Sequence, residues 1–154
     1  MKRREFITLL GGVAAAWPLA ARAEQSAMPV VGFLNTASPE PFAHLIAAFS
    51  LGLNEAGFVE GSNLEIEYRW GAGDAENMRK HAVELAALAP DVILAHSSAA
   101  VAPLLQATRT IPIVFALVAD PVGAGFVKSL ARPGGNVTGI TNFEFAASAA
   151  CLLV

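Results

Sequence analysis

The sequence has little cysteine: a single residue, Cys151, in 154. An internal disulfide is therefore excluded, and the lone thiol fits none of the cysteine spacings that bind metals. His44 and His81 have no second ligand at metal spacing, and the glycine turns at 71–73 and 123–125 complete neither a dinucleotide fingerprint nor a P-loop. We therefore predict no metal site and no cofactor.

Basic side chains are also scarce outside the N-terminus. Residues 1–23 hold four of the ten lysines and arginines but only one of the thirteen acidic residues. The other 131 residues carry six basic and twelve acidic side chains, a formal charge of −6, and no basic cluster follows Arg22. This acidic balance argues against nucleic acid as a partner.

No apolar run approaches the roughly 20 residues that a transmembrane helix needs. The run at 6–16 is broken by Gly11 and Gly12, and Pro18 follows it. A basic cluster precedes this run, and a small-residue cleavage site follows it at 21–23. This order is typical of a cleavable signal peptide, which we place at residues 1–23.

The basic cluster contains the pair Arg3 and Arg4, followed by Glu-Phe-Ile. This arrangement resembles the twin-arginine export motif, which is read by a receptor that passes folded proteins. An ordinary secretory signal is the alternative, because adjacent arginines are common in basic leaders. Both alternatives predict export to the periplasm.

The remaining chain alternates short apolar segments with helical patterns. Turn residues and prolines separate them, with a predicted cap at Asp74 and a predicted end at Pro90. The predicted strands are 30–34, 64–70, 92–95, 111–117 and 137–141, and the predicted helices start near 38, 74, 97 and 125. This alternation predicts one α/β domain with a doubly wound parallel five-stranded sheet in the order 2-1-3-4-5. The second strand alternates polar and apolar residues, as an edge strand does.

The predicted helices carry finer expectations. Ser38 is a candidate N-cap with Pro39 in the first turn, and Ser97 or Ser98 is a candidate cap for the third helix. The second helix is expected to point four residues inward, namely Met78, Ala82, Leu85 and Leu88. A short fourth helix is expected at 125–131.

In such a sheet, ligands bind beyond the carboxyl ends of the strands, where the strand order reverses. This rule selects six candidate ligand-binding residues: Asn35, Ser38, Ser97, Ser98, Asp120 and Thr141. Hydroxyls and free N–H groups at helix starts favour a carboxylate, and the Asp120 carboxylate suits an ammonium group. An amino acid or a similar small zwitterion satisfies both.

Plainer roles stay open for these residues. Ser38 and Ser98 serve equally well as helix caps, and Asp120 before a proline is a common turn starter. His96 with Ser97 or Ser98 gives a base and a nucleophile, which leaves a small exported hydrolase as an alternative function. The G-x-S-x-G elbow that exposes a nucleophilic serine is absent.

Three stretches resemble the tryptophan/tyrosine-type substrate-binding proteins of ABC transporters. They are Val30-Val-Gly-Phe-Leu-Asn, the run from Ala107 to Phe115, and the block from Ala119 to Gly139 that contains Asp-Pro-Val-Gly-Ala-Gly-Phe-Val-Lys. The resemblance implies a periplasmic two-lobed receptor of the type I binding-protein fold. Such a receptor closes on an amino acid and passes it to a membrane permease. The implied ligand contacts reach Ser38, Ser97, Ser98 and Asp120, and no catalytic role is implied.

Members of this family are about twice as long. We therefore assign residues 28–145 to the N-terminal lobe, with the second lobe absent. The apolar segment 146–154 differs from the family's continuation, which predicts a truncated receptor. A non-functional fragment is the remaining alternative.

Overall fold

The computed structural model describes residues 28–141. The predicted signal peptide with Arg3 and Arg4 and the segment 146–154 lie outside the described residues. Within 28–141 the strands are β1 (Val30–Asn35), β2 (Glu65–Trp70), β3 (Val92–His96), β4 (Ile113–Ala116) and β5 (Val137–Ile140). The helices are α1 (Ala43–Glu55), α2 (Ala75–Leu88) and α3 (Ser98–Ala107), and a 3-10 turn, Glu40–Phe42, precedes α1. None of these helices is long and apolar enough to cross a membrane.

The five strands form one parallel sheet in the order β2-β1-β3-β4-β5. The predicted topology is therefore confirmed, including the edge position of β2. The chain first moves from β1 out to β2 and then returns across β1 to β3. The order thus reverses between β1 and β3, and this reversal places Asn35 beside His96 in the strand register.

Two apolar layers hold helices against the sheet. On one side, Leu34, Ile93 and Phe115 of the strands pack with Leu85 of α2 and Leu104 of α3. We call this side the α2–α3 face. On the other side, which we call the α1 face, three residues of α1 pack against Phe33 and Ile66, namely Ile46, Phe49 and Leu53.

Helix α2 begins where the sequence predicts. Asp74 Oδ1 accepts hydrogen bonds from the backbone N–H groups of Glu76 (2.7 Å) and Asn77 (3.1 Å). These bonds satisfy donors that the first turn of a helix leaves free. The helix ends at Ala89, which adopts the left-handed conformation (φ 49°) directly before Pro90.

The inward face of α2 is narrower than predicted. Met78, Ala82 and Leu85 are buried, which confirms three of the four expected core positions. The prediction for Leu88 is wrong, because its side chain is 51% exposed. It lies in the last turn of α2, just before the helix ends at Ala89.

The start of α1 also departs from the prediction. The chain passes through the 3-10 turn after Pro39, and no side chain caps either this turn or α1. The predicted capping role of Ser38 is therefore wrong. Phe42 ends the turn at φ −100° and ψ 0°, so regular α-helix begins only at Ala43.

The predicted helix at 125–131 is wrong as well. The chain between β4 and β5 forms consecutive turns, and Gly125 adopts a positive φ of 73°. Glycine in that conformation breaks a helix, and the nearby Pro133 with Gly134 and Gly135 favours turns. Helix α3 does form, and it runs through Pro103.

Candidate functional site

The reversal of strand order brings polar residues together at the carboxyl ends of β1 and β3. Asn35 ends β1, His96 ends β3, and the two are register partners. Ser97 follows directly and precedes α3. We call Asn35, His96 and Ser97 the polar cluster.

The polar cluster contains four buried atoms without a hydrogen-bond partner in the described residues. They are Asn35 Nδ2, both ring nitrogens of His96, and Ser97 Oγ. The Asn35 side chain is fully buried, and its Oδ1 accepts a bond from Ala37 N at 2.9 Å. A buried polar group without a partner costs about 1–3 kcal/mol, so the cluster lowers the stability of the free protein. A ligand that pairs with these atoms recovers that free energy.

The backbone is strained at the same place. Ser97 has φ 82° and ψ 162°, a conformation that L-residues rarely adopt. Ala72, which follows β2, and Leu117, which follows β4, also have positive φ angles of 51° and 59°. Such strain is concentrated at functional sites in proteins. Three of the five strands, β2, β3 and β4, are therefore followed by strained residues at the edge that carries the polar cluster.

Helix α3 adds backbone donors to the cluster. The Ser97 carbonyl accepts the N–H groups of Ala100 and Val101. Within the described residues, no backbone acceptor is bonded to the N–H groups of Ser98 and Ala99 at the helix start. Unpaired N–H groups at a helix N-terminus favour an anion.

Aromatic rings line the other side of the cluster. The Phe42 ring meets the His96 imidazole edge-on, with 4.9 Å between the ring centroids. Trp70 lies 6.4 Å from Phe42 and 5.5 Å from Phe33. Burial lowers the pKa of His96 below its usual value, since the charged ring loses water. The imidazole is therefore held neutral at pH 7.

The structure places the other predicted residues less centrally. Ser98 is exposed as the first residue of α3, and Ser38 is half-buried ahead of the 3-10 turn. The Asp120 carboxylate accepts a bond from Gly123 N at 2.7 Å, so it starts a turn. Thr141 follows β5 at the same edge of the sheet. Asn35 and Ser97 are the predicted residues that meet in the polar cluster.

Sequence reasoning assigned no ligand role to His96 or Phe42. From the sequence, His96 is only a candidate base. Its unpaired nitrogens and its contact with Phe42 are evident only in the folded structure. Trp70 is the register partner of Asn35 on β2. The sequence does offer a signal for Trp70. The predicted strand order makes β2 a parallel neighbour of β1, so the end of β2 is expected beside the end of β1. Within residues 28–141 no group of three metal-ligating side chains occurs.

The family model described as ABC transporter substrate binding protein matches residues 40–152. The chain belongs to this family. The resemblance seen in the sequence is thereby confirmed. The sheet described above is one lobe of the substrate-binding protein fold.

Relatives of known name or structure agree with this assignment. A tyrosine-binding protein of Clostridioides difficile is 35% identical over 95 residues, which cover 62% of this chain and 28% of the relative. A ligand-free, open substrate-binding protein with adhesive properties from Clostridium difficile has a TM-score of 0.71 at 30% identity, covering 81% of this chain and 42% of that one.

Two further solved structures are similar. A conserved domain protein of Vibrio cholerae has a TM-score of 0.72 at 31% identity, over 82% of this chain and 43% of that chain. A domain from Streptococcus pneumoniae in complex with L-Trp has a TM-score of 0.69 at 29% identity, over 75% of this chain and 39% of that chain. The chain thus spans about two fifths of the length of these substrate-binding family structures.

Proposed function

We propose that the chain supplies one wall of a solute-binding cleft, and that the solute is an amino acid captured at the polar cluster. The observation that carries the proposal is the set of four buried, unpartnered polar atoms at the reversal of strand order. The cluster is also strained at Ser97 and lies beside the start of a helix.

The donors in this region suit a carboxylate. Asn35 Nδ2 and Ser97 Oγ supply side-chain donors, and Ser98 and Ala99 supply backbone N–H groups. A carboxylate that accepts several such bonds gains charge-assisted interactions, which are stronger than neutral ones. The neutral His96 ring has one nitrogen free to accept a bond from the ammonium group. Asp120 remains the proposed countercharge for it.

Phe42 and Trp70 suit an apolar or aromatic side chain. Aromatic rings bind other rings in offset or edge-on geometries, as Phe42 and His96 already do. A tyrosine-binding relative and a solved relative in complex with L-Trp support aromatic amino acids as the first ligands to test.

The finer biological role is part of the same proposal. We assign the receptor to the periplasm, where a signal peptide at 1–23 would deliver it, and to an ABC importer whose permease receives the solute. The match to the family of ABC transporter substrate binding proteins supports this role. Because residues 28–141 correspond to one lobe of the fold, we place the other wall of the cleft outside these residues.

The hydrolase alternative gains no support from the geometry. A serine nucleophile needs a hydrogen bond to its base. In the described residues neither ring nitrogen of His96 and no atom of the Ser97 hydroxyl has a hydrogen-bond partner.

The direct test is a titration of the chain with single amino acids, monitored by amide NMR signals. We expect tryptophan, tyrosine or phenylalanine to shift the signals of residues 97–100 at millimolar concentrations, since a single wall binds weakly. Ser97→Ala should weaken these shifts. Ser62→Ala, which removes an exposed hydroxyl elsewhere, serves as the matched control. Shifts that avoid residues 97–100, or none with any amino acid, contradict the proposal.

A further inference from the structure

The outer side of β2 is an open strand edge. Glu65 N donates to Pro29 O and Gly71 N donates to Asn35 O, so the odd-numbered residues of β2 direct their backbone groups toward β1. The even-numbered residues, Ile66, Tyr68 and Trp70, therefore direct theirs outward. In the described part of the chain, no backbone group bonds to these outward groups. The Tyr68 carbonyl accepts a bond from Arg69 Nη1 at 2.9 Å and keeps its second lone pair for a partner strand.

The side chains of β2 differ between its two faces. On the α2–α3 face, Arg69 bonds to Glu67 Oε2 of the same strand (2.9 Å) and to Glu84 of α2 (3.4 Å). On the α1 face, an apolar groove of about 480 Å³ runs beside the strand. Its lining residues are Pro39, Ala43, Ile46, Ala47, Tyr68 and Trp70.

We propose that β2 pairs antiparallel with β2 of a second copy of this chain, centred on Tyr68. The two-fold axis runs perpendicular to the sheet, so the two sheets join into one. Tyr68 then faces the partner's Tyr68, and Ile66 faces the partner's Trp70. These are the residues with outward backbone groups, and each facing pair exchanges two hydrogen bonds.

Charge complementarity selects this register. Centring on Tyr68 places Glu67 opposite the partner's Arg69, and symmetry repeats the contact. The two neighbouring registers that also keep the backbone groups facing are centred on Glu67 or Arg69. Each places two like charges directly opposite each other, which is destabilising. The Tyr68 register alone places acid opposite base without also placing two like charges opposite each other.

The groove supports the same partner. The two-fold axis keeps both α1 helices on one side of the joined sheet, so the two grooves lie on either side of the axis. Tyr68 and Trp70, which line the groove, are also the residues at the junction. Pairing therefore buries apolar surface from both copies, and burial of apolar surface is the main favourable term in association.

The test uses two single charge reversals, Glu67→Arg and Arg69→Glu. Each places like charges across the junction, so each should raise the dimer dissociation constant by about tenfold or more. An equimolar mixture of the two variants restores both opposite-charge contacts. We expect this mixture to dimerise as well as the unmodified chain, measured by sedimentation velocity over a range of concentrations.

The matched control is Glu65→Arg, which changes the charge equally on the same strand but faces the partner's Gly71. It should have a clearly smaller effect. Hydrogen exchange at Ile66, Tyr68 and Trp70 should slow as concentration rises, and circular dichroism checks that each variant folds. A chain that stays monomeric up to about 1 mM, or a dimer that neither reversal weakens, overturns the proposal.

Discussion

The Phe42 ring packs edge-on against the His96 imidazole at 4.9 Å between centroids, and it covers a histidine whose two nitrogens have no partner in the described residues. Phe42 ends a 3-10 turn and His96 ends a strand, so the contact joins two separate parts of the chain. The ring adds to the burial of the imidazole, and burial disfavours its charged form.

Stability should fall as the pH drops because of His96. Its pKa is lowered in the folded chain by burial, so the unfolded chain binds a proton at higher pH than the folded one. The unfolding free energy is therefore complete above the ordinary histidine pKa of about 6.5 and decreases below it. Urea unfolding between pH 8 and pH 5 should show this slope.

His96→Leu should flatten that slope, because the titrating group is gone. His44→Gln is the control, since it removes an exposed histidine from α1. If His96→Leu leaves the slope unchanged while His44→Gln reduces it, the prediction is wrong.

Phe42→Ala should return the pKa of His96 toward its usual value. Removing the ring admits water to the imidazole and ends the desolvation that disfavours its charged form. The half-buried ring also contributes to packing, so we expect a loss of about 1–2 kcal/mol in unfolding free energy. NMR titration of the imidazole signals measures the first effect, and an unaltered midpoint would contradict it.

Tyr68 should ionise at unusually high pH. Burial and the nearby Glu60 carboxylate raise its pKa to about 12, and its hydroxyl lies 3.3 Å from Glu60 Oε2. It is the only tyrosine in the sequence, so the phenolate absorbance reports this group alone. Glu60→Gln should lower the midpoint, whereas Glu55→Gln, on the exposed end of α1, should leave it in place. Equal midpoints in both variants would exclude a role for Glu60.

Ser97→Gly should stabilise the chain and weaken ligand binding. Glycine adopts a φ of 82° without the clash that a Cβ introduces, and relief of such strain is worth about 1 kcal/mol. Ala47→Gly, in the middle of α1, should instead cost about 1 kcal/mol. Thermal unfolding separates the two variants. A Ser97→Gly chain that is less stable than the original would show that the backbone is not strained there.

Strand order and edge position followed from the sequence, since apolar runs and alternation are local patterns that the sheet preserves. The failures have local causes too. Gly125 breaks the pattern that suggested a fourth helix, and Pro39 introduces a turn ahead of α1. Asn35 and Ser97 were found because ligand sites follow strand ends. His96 was not assigned to ligand binding, because its contact with Phe42 depends on how the 3-10 turn before α1 packs onto the end of β3.

The register between Asn35 and His96 also bears on how the protein folds. The two residues become neighbours only after β2 and α2 have formed a crossover and β3 has paired with β1. Contacts between distant parts of a chain form slowly, because loop closure costs entropy before any contact is gained. A segment of the chain that ends before β3 lacks His96 and therefore cannot bring it beside Asn35. The site at Asn35 and His96 therefore exists only in a chain whose strands have paired in the native order. Ligand binding at this site thus distinguishes correctly folded chains from incompletely folded ones.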